Sequence, residues 1–247
     1  MFRISEIETC FPEKKVTNED LQKEFPEWSP EKIFNKVGVK QRYTASAEET
    51  VLELAVKASE KLLKKIDKNE IDFILFCTQS PDYHLPTTAC ILQDRLGLRK
   101  NIGALDFNLG CSGFVYGLSI AKGLIATGAA QNILLVTAET YTKYLRKSDK
   151  SNRTIFGDGA AATLIQKDET KENFQFILGT DGSGYDNLIV RNGGGRNRIN
   201  KEDEAGNCLY MNGQKIFLFT IEKIPELVKE MLKKNNLTKN DVDYYIF

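Results

Sequence analysis

The run Ile71-Asp-Phe-Ile-Leu-Phe-Cys-Thr78 is apolar at nearly every position over the length of one strand. A strand with one face in water alternates polar and apolar side chains, so this run requires cover on both faces. Thr50 to Ile66 sets Val51, Leu54, Ala55, Ala58, Leu62 and Leu63 on one helical face, with Lys64, Lys65 and Lys68 at its solvated end. Beyond the apolar run the pattern predicts a helix over Thr88 to Leu96 and a buried strand over Asn101 to Leu109. A helix over Phe114 to Thr127 and a second apolar strand over Asn132 to Ala138 follow. Strands alternating with helices predict an α/β fold with parallel connections and helices on both faces of the sheet.

Before this block a short first strand is expected. Thr17 then caps a helix with Asp20 three residues on, a pattern that continues toward Gly38 and the basic turn Gly38 to Tyr43. After it, Arg153 to Ile165 reads as a glycine-punctuated turn and a buried strand, and the charged segment 167–173 as a linker. A strand is predicted over Phe174 to Leu178, a basic loop over Gly193 to Arg198, and a helix over Gln214 to Asn235, kinked or restarted at Pro225. The final residues, 241–247, repeat the pattern of Ile71 to Cys77, each run following a lysine-rich helix and a short turn. Such repetition indicates internal duplication, so residues 1–170 read as one half and 171–247 as part of a second. Counterparts of residues 79–165 are expected after Phe247, and the sequence reads as stopping inside a domain.

Charge and cysteine usage exclude several classes. The 34 Lys and Arg balance the 34 Asp and Glu, which leaves no general drive toward nucleic acid or an acidic membrane surface. Cysteines at 10, 77, 90, 111 and 208 form no CxxC pair and no tight cluster, which argues against a zinc site or a disulfide scaffold and for reduced, cytoplasmic thiols. Cys77 and Cys90 read as small buried side chains. No secretory leader opens the sequence and no run of apolar residues is long enough to span a bilayer. Gly179-x-x-Gly182-x-Gly184 and Gly193 to Gly195 lack the strand-to-helix setting of a dinucleotide site.

Cys111 is the residue to which chemistry is most readily assigned. In Asp106-Phe-Asn-Leu-Gly-Cys-Ser-Gly-Phe-Val-Tyr-Gly117 it falls where a strand turns into a helix, with Gly110 and Gly113 leaving room for a tight turn. On the first turn of that helix a sulfur would face backbone N–H groups and the positive end of the helix dipole, which favour thiolate. A thiolate can attack a thioester; the local pattern fits a buried structural cysteine equally well.

Five segments then bear on that choice together: Gly38-Val-Lys-Gln-Arg42, Leu85-Pro-Thr-Thr-Ala-Cys90, Gly110-Cys-Ser-Gly-Phe114, Ile155-Phe-Gly-Asp-Gly-Ala160 and Gly179-Thr-Asp-Gly-Ser-Gly184. In kind and order, over essentially the whole chain, they resemble β-ketoacyl-acyl-carrier-protein synthase III, a condensing enzyme of the thiolase superfamily. The resemblance implies a thiolase-like, five-layered αβαβα architecture with duplicated halves, the second incomplete here, and it places the nucleophile at Cys111. It also implies an acyl group taken from acyl-CoA and condensed with malonyl-acyl carrier protein with loss of CO2, with no cofactor, no metal and a homodimer paired through strands near residues 101–109. A related acyltransferase of a specialised pathway and a non-catalytic partner subunit remain as alternatives.

By the same resemblance, Lys36, Arg42 and Arg153 are candidates for coenzyme A phosphates. Phe156 lines the site beside the cysteine, and Asn212 borders the pantetheine channel. Lys32 stands where a tryptophan stacks on adenine, and nearby Trp28 is a possible replacement. Leu85 stands where an aromatic gate is common, which opens room for primers longer than acetyl. The family's histidine and asparagine are expected beyond Phe247, since His84 reads as a loop residue. Asp158 is expected to brace the Gly157 to Gly159 turn.

Overall fold

The computed structural model describes residues 1–170 and 174–246. The chain divides into two compact units, Met1–Glu172 and Asn173–Phe247. In the first unit the elements are β1 (Phe2–Cys10), β2 (Lys15–Thr17), α1 (Asn18–Glu24), α2 (Pro30–Val37), β3 (Gln41–Tyr43), α3 (Val51–Leu63), β4 (Phe73–Cys77), α4 (Thr88–Arg95), β5 (Gly103–Phe107), α5 (Gly113–Ala126), β6 (Asn132–Glu139), α6 (Lys150–Ile155) and β7 (Gly159–Lys167).

Five strands form one sheet in the order β1-β7-β6-β4-β5. The apolar run becomes β4, flanked by parallel β5 and β6, and its side chains from Ile74 to Phe76 are fully buried. Ile74 and Phe76 face α3 and α4 together with Leu134 and Val136 of β6, which is the main core. On the opposite face α5 packs against β4 and β6. Its buried stripe is Gly113, Gly117, Ala121 and Ile125, spaced at one helical face, and small residues bring its axis close to the sheet. A Cβ on Gly117 would stand 2.7 Å from Leu135 Cδ1.

Two expectations change here. Alternation predicts parallel pairs throughout, yet β7 runs antiparallel to both β6 and β1. Glu139 at the end of β6 pairs with Gly159 at the start of β7, so residues 140–158 leave and re-enter at the same end of the sheet and no crossover is made. The strand expected over Asn101 to Leu109 is shorter and only half-buried, because β5 is a sheet edge with β4 on one side alone.

Local signals otherwise act as the chemistry requires. Thr17 and Asp20 form a reciprocal capping box at the start of α1, and Thr50 caps α3. The helical pattern toward Gly38 is broken between α1 and α2 at Phe25 and Pro26, and α2 ends on Gly38 in the left-handed region at φ 72°. The supposed turn after it contains β3, paired with β2. Arg153 to Ile155 belong to α6 rather than to a turn. Lys65 is not merely solvated: it pairs with Glu6 and Glu8 of β1.

The second unit contains β8 (Leu188–Val190), α7 (Glu204–Asn207), β9 (Leu209–Met211) and α8 (Gly213–Lys234), with β8 and β9 paired antiparallel. α8 continues through Pro225 without restarting and buries none of its residues. Neither Phe174 to Leu178 nor 242–246 is a strand, since no described strand lies beside either to take up its backbone groups. The last residue of the predicted strand 241–247 and residues 171–173 of the predicted linker lie outside the described residues. So does the expected start of the second half at 171.

Candidate active site

Cys111 is exposed, and it lies just before α5, whose N-cap is Ser112, rather than on the first helical turn. The turn is closed by Gly113 N–H donating to Gly110 O at 2.8 Å. A Cβ on Gly113 would overlap the sulfur of Cys77 at the end of β4, so glycine here lets the helix start against that strand. The Cys77 thiol is buried, donates to Leu109 O at 3.1 Å, and is pushed up to about 11 by burial. Cys90, expected to be buried, is exposed at the start of α4.

Cys111 opens onto a cavity of about 680 Å³ walled by Phe11, Tyr43, Cys77, Phe114, Glu139 and Asp158, among others. Phe11 and Tyr43 stack at 5.0 Å on one wall. Arg42 is shared with a second cavity of about 600 Å³, where Phe156 and Arg153 lie with Lys14, Lys15 and Lys147. Of the residues expected to touch substrate, the structure therefore places Phe156 and Arg153 in a basic hollow next to the sulfur's cavity. Tyr141 lies beside this hollow: its ring is 5.0 Å from that of Phe156 and its hydroxyl donates to Gln79 Oε1 at 3.2 Å. Burial pushes the Tyr141 phenol up to about 12.

The basic candidates differ in how free they are. Arg153 is held by Glu24 in a two-pronged pair at 2.7 and 2.8 Å and also donates to Lys147 O. That guanidinium keeps the Glu24 carboxyl below the usual carboxylate range. Arg42 is buried with no carboxylate partner among the described residues, donating instead to Asn18 Oδ1 and to the carbonyls of Val16 and Thr154; burial lowers its pKa. Lys32 and Lys36 border a separate shallow hollow, with their ammonium groups 5.9 and 5.2 Å from the Trp28 ring centroid. Leu85 is 86% exposed and His84 is exposed beside it. Asn212 lies in the second unit, where its side chain caps α8 by accepting from Lys215 N–H.

Sequence reasoning assigned Asp158 to its own turn. Its carboxylate instead accepts from Ala45 N–H, Thr142 N–H and Thr142 Oγ, so it ties two distant loops beside the cavity. Glu139, Gln79 and Tyr141 were not singled out at all. One signal was available for Glu139: an acid ending the apolar strand Asn132 to Ala138 has little water to face.

Comparison with known proteins gives the family and the fold. Residues 105–182, from β5 across the cysteine turn, match the family model described as 3-oxoacyl-[acyl-carrier-protein] synthase III. The β-ketoacyl-[acyl-carrier-protein] synthase III of Clostridioides difficile is 37% identical over 244 residues, covering 97% of this chain and 74% of that protein. The synthase III 2 of Halalkalibacterium halodurans is 33% identical, covering 99% and 74%. A crystal structure of a 3-oxoacyl-(acyl-carrier-protein) synthase III superimposes with a TM-score of 0.94 at 42% identity, covering 98% of this chain and 76% of that one. The fold is the thiolase-like α/β fold, and the chain belongs to the 3-oxoacyl-[acyl-carrier-protein] synthase III family of condensing transferases.

Proposed function

We propose that Cys111 is the acyl acceptor of this condensing enzyme. Its sulfur attacks the thioester carbon of acyl-CoA, the carbon–sulfur bond to coenzyme A breaks, and coenzyme A leaves as its thiol while the acyl group stays on Cys111. Malonyl-acyl carrier protein then loses CO2, the electron pair of the broken bond forms an enolate carbon, and that carbon attacks the acyl carbonyl. The Cys111 thiolate leaves and 3-oxoacyl-acyl carrier protein is released, a two-stage scheme that suits sulfur because it both attacks and departs readily. No cofactor enters this balance.

The observation that carries the assignment is the exposed Cys111 at the strand-to-helix turn, opening onto a cavity of about 680 Å³. The neighbouring hollow, with Lys14, Lys15, Lys147 and Arg153 on its walls, suits the phosphates of coenzyme A, with Phe156 toward the acyl end. Lys32 and Lys36, held over Trp28, suit the adenine end, and Leu85 stands where the resemblance implies an aromatic gate. By the resemblance Asn212 is assigned to the pantetheine channel, with 1–170 as the half that carries the nucleophile and 171–247 as part of a second half.

The half-paired edge strand β5 supports a homodimer in which two copies of Gly103–Phe107 pair across a two-fold axis. Five cysteines without a CxxC pair or tight cluster suit a reducing, cytoplasmic setting, and no described helix is long and apolar enough to cross a membrane. Intact mass after incubation with acyl-CoA thioesters of increasing length tests the central claim. One acyl group per wild-type chain and none on Cys111→Ala is the expected result; equal acylation of both would refute it. Sedimentation at micromolar concentration tests the dimer.

A further inference from the structure

Glu139 ends β6 with its carboxylate turned inward, and burial pushes it up to about 7. One oxygen accepts from Gln79 N–H at 2.7 Å; the other accepts from Ser80 Oγ at 2.5 Å and Thr78 Oγ1 at 3.4 Å. It thus gathers three successive residues of the segment that follows β4. Ser80 Oγ in turn accepts from Thr140 N–H at 2.9 Å.

Gln79 carries this arrangement toward the nucleophile. Its amide nitrogen donates to Asn108 Oδ1 at 3.1 Å and its amide oxygen accepts from Tyr141 OH at 3.2 Å. The same oxygen lies so close to Gly110 that a Cβ there would stand 2.7 Å from it. Gly110 immediately precedes Cys111, so an unbroken set of contacts runs from Glu139 through Gln79 to the cysteine turn. We propose that Glu139 is a positioning residue for Cys111, fixing the cysteine turn through Gln79; this rests on Cys111 being the acyl acceptor.

The titration of Glu139 supplies a consequence that a simple brace would lack. As a carboxylate it accepts three donors; as a neutral acid it carries an O–H that must itself find an acceptor, so the bonds to residues 78–80 rearrange. The groups facing it are Cys77 from β4, Tyr141 and Tyr144 from the turn after β6, and Asp158 before β7, with Arg42 and Cys111 on the walls of the shared cavity. Asp158 adds to the rise. The setting of the cysteine turn therefore changes with pH in the neutral range.

The test is the rate of Cys111 alkylation by iodoacetamide from about pH 5.5 to about pH 9, read by peptide mass in wild type, Glu139→Gln and Gln79→Ala. Wild type is expected to show an inflection near pH 7 in addition to that of the thiol. Both variants are expected to lose it and to label about tenfold more slowly at high pH, with melting temperature as the control for folding. A folded variant that keeps the inflection and the rate overturns the positioning role and leaves acylation at Cys111 standing. If Glu139→Gln does not fold, Gln79→Ala, which keeps the carboxylate, decides alone. Undiminished acylation of Cys111→Ala would instead overturn the acceptor reading beneath the proposal, and it is read in a separate assay.

Discussion

Cys77 and Cys111 line the same cavity and are the same residue type, yet the fold gives them opposite characters. Cys77 closes the interior strand β4, is buried, and donates its S–H to Leu109 O. Cys111 comes one turn after the edge strand β5 and stands exposed before α5. The strand that is covered on both faces hides its terminal sulfur; the strand with a single neighbour delivers its cysteine into an opening. Access to a thiol here belongs to the place in the sheet and not to the thiol as such.

The largest effect that could break this comparison is in acyl transfer. Cys111→Ala is expected to lower acylation by acyl-CoA about a thousandfold or more, while Cys77→Ala stays within a few-fold of wild type. A drop of similar size in both variants, measured by intact mass, would show that the two sulfurs act together. Next in size, iodoacetamide at about pH 8 is expected to label Cys111 about a hundredfold faster than Cys77, because the reactive form of Cys77 is scarce well below its pKa of about 11. Peptide mapping over time gives the ratio.

Alkaline unfolding sharpens the contrast. The Cys77 thiol ionises at about 11 in the fold against 9.0 ordinarily, so its contribution is fully present below pH 9 and is lost as pH rises toward 11. The loss is roughly 2 to 3 kcal/mol, and urea melts of Cys77→Ala are expected to lack that part of the decline. The smallest effect concerns the contact that separates the two regions. Gly113→Ala forces a methyl group against the Cys77 sulfur and is expected to cost about 2 kcal/mol. Adding Cys77→Ala should return about half of it if that contact is the cause.

Much of the first unit was legible because its signals are local. The capping pair Thr17 and Asp20, the face of α3, the uninterrupted apolar run of β4 and the glycines around Cys111 each act within a few residues. The failures share a different cause. Residues 242–246 carry the same kind of pattern as β4 but are not a strand, since a strand requires neighbours and β4 has two. The antiparallel placement of β7 and the half-exposure of β5 likewise depend on which strands stand adjacent. Among site residues, Cys111 and its glycines were readable from one turn of chain. Glu139, Gln79 and Tyr141 were not, because their meaning lies in hydrogen bonds spanning about sixty positions.

The sequence by itself determined the main helices α3, α4 and α5, the buried strands β4 and β6, and which cysteine would sit at a strand-to-helix turn. Hydrophobic period, capping and glycine freedom all operate at short range. Only the tertiary structure decided that Cys77 would be concealed and Cys111 open, that Arg153 would be engaged by Glu24, and that a half-buried carboxylate would stand on the wall of the cysteine's cavity. Exposure, ion pairing and desolvation are properties of neighbours brought together from distant parts of the chain, and no local pattern encodes them.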